Sequence, residues 1–293
     1  MKRLRFLIPM ILSNGLSSCS FSLFPSHYSS GDISAEDSSS FPVSPSSIES
    51  FVPSMEGGTP VDPSTHGALL EEWFPTDLSN EELFDECFME GESKGSPSTS
   101  DEISLQTAYQ ITAVSKSNQY ARTLATLWPG DSTSSETWYK NEEVVFEQDE
   151  EMYYYSGTRE LVGGSEESQA YAIRVTDRWT TYYERIRDMV MQGYYFVSGL
   201  IELRSEAGSL ESSEIQQKDG DYSVKLNGRF TLDGGQAEWI HTEFFIHEGV
   251  MVYAKYQKES PIDARNSEGV LHFRFGTPED RPIPDLSTVD TIS

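Results

Sequence analysis

The chain is poor in cysteine, histidine and positive charge, and each scarcity excludes something. Of its 293 residues, two are cysteine and five are histidine. Two thiols, Cys19 and Cys87, make neither a disulfide-dense scaffold nor a four-thiolate zinc site. Only 21 Lys and Arg stand against 48 Asp and Glu, a net charge of -27. Phosphate binding needs clustered Lys and Arg, so nucleic acid is a poor partner, and anionic headgroups would repel the chain. Such acidity suits an exported protein kept soluble by its charge. A nucleophile elbow, a phosphate loop, a zincin pair and a Cys-His arrangement are all missing. No catalytic residue, metal site or cofactor is therefore assigned. Carboxylates are so abundant that any chosen glycosidase-like pair would be arbitrary.

The first residues, "MKRLRFLIPMILSNGLSSCS", do carry a pattern. Lys2, Arg3 and Arg5 form a basic flank, and no charge follows from Phe6 to Ser18. The apolar run is too short for a bilayer-spanning helix, which needs about 20 residues, but has the length and flanks of a secretory signal. Its end, Leu16-Ser17-Ser18-Cys19, resembles the lipobox of bacterial lipoproteins: an aliphatic residue, two small residues, then cysteine. The resemblance covers about 20 residues, and Pro9 and Asn14-Gly15 depart from an ideal apolar stretch. It implies residues 1–18 as a signal peptide, Cys19 as the lipid-attachment site, and a protein anchored on the extracytoplasmic side of a membrane in a bacterial cell envelope. Two acyl chains anchor stably where one gives marginal binding, at about 0.8 kcal/mol per buried methylene.

Residues 19–99 read as an acidic, Ser/Pro-rich disordered tether. Between Ser20 and Ser100, Lys94 is the only Lys or Arg against fifteen acidic side chains, too little apolar content to offset the entropy of ordering. A flexible chain of that length reaches on the order of 50 Å, more with self-repulsion. One island at 67–90 breaks the pattern. Leu69, Leu70, Trp73 and Phe74 form one apolar group, and Leu83, Phe84, Cys87, Phe88 and Met89 form another with the spacing of a short amphipathic helix. Two readings stay open: the island binds a partner groove through Leu69, Leu70, Trp73, Phe74, Leu83, Phe84 and Phe88, or it docks back on its own domain. Cys87 reads as a small apolar residue.

Residues 100–276 read as one domain. A helix is expected from about Thr99 to Leu127, where apolar residues recur at helical intervals after a capping box. "ETWYKNEEVVFEQ", "EMYYYSGTRE", "QAYAIRVT", "YSVKLNGRFTL", "EWIHTEFFIH", "VMVYAKYQK" and "GVLHFRFG" read as strands. The period of two running through Asn227-Gly228 argues for one long strand there rather than a hairpin turn. Segment 178–192 suits a helix, favoured over a strand, followed by a strand over 194–204 and a loop over 205–221. The tail, 277–293, looks disordered. The sum is an α+β fold: one large curved antiparallel sheet with one or two helices, preceded by a long disordered tether. In architecture alone it is similar to the half-barrel lipoprotein-carrier type, with no motif carrying the likeness and no residues transferred.

Paired tyrosines such as Tyr153-Tyr154-Tyr155, Tyr182-Tyr183 and Tyr194-Tyr195 put a ring on each face of a strand, where one face can build a core and the other line a ligand groove. Trp239, His241, Glu243, Phe245 and His247 share one face of their strand, but His241 and His247 lie too far apart, at roughly 20 Å, to share an ion. The acidic run 147–151 is a solvated turn without calcium-loop spacing. The expectation is a lipid-anchored protein whose sheet binds an apolar or sugar-like ligand or an envelope component. The alternatives are a protein-interaction module and, less favoured, a hydrolase.

Overall fold

The computed structural model describes residues 54–75, 81–95, 106–129, 137–175, 179–231, 235–260 and 267–292. The lipobox-like stretch ending in Cys19, and the expected tether up to residue 53, lie outside them. The described residues form one sheet of thirteen strands: β1 (Thr59–Pro60), β2 (Glu86–Gly95), β3 (Gln106–Ser115), β4 (Tyr120–Pro129), β5 (Trp138–Gln148), β6 (Glu151–Val162), β7 (Ser165–Arg174), β8 (Gly208–Lys218), β9 (Asp221–Thr231), β10 (Ala237–His247), β11 (Val250–Glu259), β12 (Ser267–Phe275) and β13 (Asp290–Ile292). Their order is β1-β8-β9-β10-β11-β12-β2-β3-β4-β5-β6-β7-β13. The first twelve pair antiparallel, and only β13 joins in parallel, on β7.

The turns follow from local chemistry. Asp149-Glu150, Gly163-Gly164, Asp219-Gly220 and Glu248-Gly249 each put two successive residues at positive φ, the geometry of the tight hairpin turn that matches strand twist. Asn227-Gly228 lies inside β9, as the unbroken alternation implied, with Val224, Leu226 and Gly228 turned inward.

Three α-helices among the described residues complete the fold: α1 (His66–Trp73), α2 (Trp179–Val197) and the single turn α3 (Leu200–Leu203). The curved sheet wraps α2, which packs against strands from β11 round to β6. Tyr183, Ile186, Val190, Tyr194, Tyr195 and Val197 are its buried side chains. They meet Met89, Phe244, Leu271 and Phe273 in the main core. Tyr194 OH reaches across to accept the Met251 N–H at 2.8 Å.

Five expectations are corrected. The helix expected up to Leu127 is instead the hairpin β3–β4: it holds four Thr and two Tyr, and β3 is buried on both faces, so no period of two shows through there. The strand expected over 194–204 is the end of α2 and then α3. Gly193 does not stop the helix, because its bare Cα lets α2 press onto Met89, whose Sδ would lie 3.0 Å from an added Cβ. The expected loop 205–221 contains β8, a polar strand near the sheet edge with only Ile215 buried. The tail 277–292 is ordered on the sheet and ends in β13. The fifth concerns the tether: its stretch 54–95 carries α1 and β2, and β2 sits between β12 and β3 in the middle of the sheet. Hence the domain begins well before residue 100.

The island at 67–90 docks on its own domain. Leu70, Trp73, Phe74 and Phe84 are buried in the main core, with Leu69 and Leu83 packed against it and Phe88 against a second cluster. The seven residues read as partner-binding are thus committed to intramolecular packing. The second apolar group is strand β2 rather than a helix. Its alternation (Cys87, Met89 and Gly91 buried, Phe88 and Glu90 partly open) is that of a strand, and pairing on both sides overrides the weaker helical spacing.

Candidate functional site

The inner side of the sheet, where a half-barrel carrier would hold its ligand, is filled by α2. A cleft there, beside Gly199, Glu202, Ile240, Thr242, Tyr256 and Lys258, has a free volume of about 20 Å³. That is room for one water, against several hundred Å³ for a small-molecule pocket. Lys258 Nζ lies 2.9 Å from Glu238 Oε2 and 3.5 Å from Glu202 Oε1. Burial, opposed by Lys258, holds the Glu202 carboxyl above its usual range.

The outer side offers more. Along β10, Glu238, Ile240, Thr242 and Phe244 point inward, so Trp239, His241 and Glu243 point out. The register places Trp239 between Arg229 and Glu259, His241 between Asn227 and Gln257, and Glu243 between Lys225 and Lys255. Trp239 is 40% exposed, an uncommon state for so large a ring. Around it the polar groups are held in line. His241 Nδ1 and Asn227 Oδ1 are 2.7 Å apart, and Asn227 Nδ2 donates to Ser212 Oγ at 2.9 Å. Gln257 Nε2 donates to Glu259 Oε1 at 3.2 Å, and Lys225 lies 3.5 Å from Glu243. These bonds fix the side chains in a flat array and leave hydrogen-bonding capacity facing solvent, with one apolar ring face among them. Such a surface can stack on the C–H face of a sugar ring while its neighbours bond the hydroxyls.

The other sequence candidates are scattered. His247 pairs with Asp221 at 2.8 Å. Phe245 leaves the outward row: a register shift between Phe245 and Ile246 buries both. His272 lies buried opposite Glu90 on β2, which accepts the Tyr109 hydroxyl. Burial and Arg274 hold His272 below its usual range. Among the described residues no group of three His, Cys, Asp or Glu could hold a metal ion. The tyrosine runs divide as their spacing implied only in β6: Tyr154 points inward and stacks on Tyr182 at 4.2 Å, while Tyr153 and Tyr155 pack on the outer cluster. The pairs 182–183 and 194–195 lie on α2 and build core. Cys87 is buried, and burial with nearby Glu86 and Asp85 pushes its thiol up to about 12, which leaves it without nucleophilic character.

Sequence reasoning put Trp239 and His241 on one face but read that face only for metal binding; the cross-strand partners on β9 and β11 depend on a register that no single strand reveals. No protein-family model and no curated protein matches this chain. No helix among the described residues is long and apolar enough to cross a membrane.

Proposed function

We propose that the protein is a lipid-anchored extracytoplasmic binding module that engages a sugar-bearing component of the cell envelope, without chemistry, through the outer face of β8–β11. Exposed Trp239, set in a row of hydrogen-bonded polar side chains, carries this reading. The apolar-ligand version is less favoured, because α2 occupies the inner side of the sheet. The resemblance of Leu16-Ser17-Ser18-Cys19 to a lipobox supports the anchor. Two experiments test the parts separately. Co-sedimentation with purified peptidoglycan sacculi and with chitin and cellulose beads should show saturable binding to at least one, weakened tenfold or more by Trp239→Ala; equal sedimentation of the variant overturns the site. Cys19→Ala should move the protein out of the membrane fraction; unchanged fractionation overturns the anchor.

A further inference from the structure

At Gly276 the chain turns off the end of β12 with φ +116°. It then crosses the outer face of the sheet to the opposite edge, where Asp290 lies opposite Tyr171 and Ile292 opposite Ile173. Six interstrand steps separate β12 from β7, roughly 29 Å at about 4.8 Å each. This strap is pinned at few points. The Gly276 N–H donates to Glu86 O at 2.8 Å, and Tyr120 OH donates to Pro282 O at 3.0 Å. Pro278 is buried. Leu286 packs on an outer cluster of Ala113, Tyr120, Val144 and Phe146, edged by Phe88, Tyr153 and Tyr155.

Three features set the strap apart from the rest of the fold. Its cluster is distinct from the main core, to which no residue beyond Phe275 contributes among the described residues. It is held by a three-residue parallel pairing, and Ile283 in its middle is 51% exposed. Segments with so few buried contacts open at low free-energy cost. The strap also has a definite chemistry. Residues 277–292 carry Pro278, Pro282 and Pro284, and Glu279, Asp280, Asp285 and Asp290 against Arg281 alone. The face beneath carries both signs: Arg274 lies 4.2 Å over the Phe88 ring, while Arg122, opposite Ala113, is paired with Glu142 at 2.6 Å, and Arg174, opposite Tyr153, is paired with Glu151. Beside β13, residues 165–170 of β7 stay exposed.

We propose that the outer face of β2–β6, with the flank of β7, is a docking groove for an extended, proline-bearing peptide of another chain with an apolar anchor residue, and that residues 277–292 are its resident occupant in cis. A partner would add in parallel to β7, place an apolar side chain on the Tyr120–Phe146 cluster, and displace the strap. The tethered strap competes at an effective concentration in the millimolar range, so the groove is closed until a stronger or more abundant segment arrives.

A protease site inserted after Gly276, cut after folding, tests this without asking a truncated chain to fold. The probe is a fluorescent synthetic peptide of residues 277–292. The nicked protein should keep its strap through gel filtration, exchange it for the probe, and bind the probe at least tenfold tighter than the uncut protein does. Replacing Leu286 by Asp in the probe should abolish binding. A full-length Leu286→Asp, Thr291→Pro protein with unchanged circular dichroism should bind the wild-type probe without any cut. Failure of both opened proteins to bind, or equal binding of a scrambled probe, overturns the groove.

Discussion

Lys258 Nζ stands 2.9 Å from Glu238 Oε2, with the lysine side chain 14% and the glutamate 1% exposed. Glu202 on α3 completes the group from the other side. A buried pair of this kind adds little net stability over an apolar pair, but removing one member leaves the other charge uncompensated. Lys258→Met should therefore cost about 3–5 kcal/mol, read as a lowered urea midpoint at unchanged slope. Adding Glu238→Gln should recover part of that loss. If the double variant is no more stable than the single, the two side chains are not coupled.

The same cluster sets a pH dependence. Burial raises the Glu202 carboxyl in the folded chain, with Lys258 opposing and Glu238 adding to the rise. The folded state then binds a proton more readily than the unfolded one, so this group's contribution to stability increases as pH falls through its raised folded pKa and levels off below the ordinary carboxylate range. Glu86 acts in the opposite sense. Burial alone would raise it, but hydrogen bonds from Ser117, Ser115 and Thr277 outweigh that and hold it low. Its contribution is present above the ordinary glutamate pKa and is lost as pH falls through its depressed folded value. Comparing denaturation midpoints of wild type and Glu202→Gln from pH 7 to 4 isolates the first effect: the variant's relative advantage should shrink as pH falls. A constant difference would refute it.

Two glycines separate two kinds of close approach. A Cβ on Gly228 would meet Ser209 O at 2.7 Å as well as the Leu203 methyls, so backbone must move. On Gly91 it would strike a terminal methyl of Leu271, which can rotate away, while Val270 O stays at 3.2 Å. Gly228→Ala should cost about 1–3 kcal/mol and Gly91→Ala less, measured by chemical denaturation.

Strands β5–β7 and β9–β12 were legible where one face is wet: in β9, Val224 and Leu226 alternate with exposed Lys225 and with Asn227, and four turns carry residues that accept positive φ. Legibility failed where that contrast vanished. β3 is buried on both faces, with Thr107 and Thr112 as closed to solvent as Val114; apolar spacing then says nothing about period. β8 failed for the opposite reason, since near a sheet edge ten of its eleven residues stay out of the core. β2 is the instructive case. Its composition matches the surrounding acidic chain, and it is a strand only because β12 and β3 pair with it from either side, nonlocal partners that composition cannot report. The outer array around Trp239 was half legible: alternation placed Trp239 with His241, but their neighbours Asn227 and Gln257 needed the register.

The burial of Phe84 makes the place of residues 81–95 in the core testable. Its side chain is fully closed to solvent, with rings of Tyr194 and Tyr195 from α2 at 5.3 and 6.0 Å and of Phe275 from β12 at 6.1 Å. If residues 81–95 belong to the core, Phe84→Ala should cost about 3–5 kcal/mol and should lower the single cooperative transition of the whole domain. A segment merely tethered to a finished domain would leave that transition in place. Leu69→Ala, at a side chain only packed against the core, should cost less than Phe84→Ala in the same urea titration. The contrast matters because both residues come from the stretch that composition assigns to the tether: a large loss at Phe84 places the start of the folded unit upstream of β2, and every truncation that begins at residue 100 should then yield an unfolded sheet.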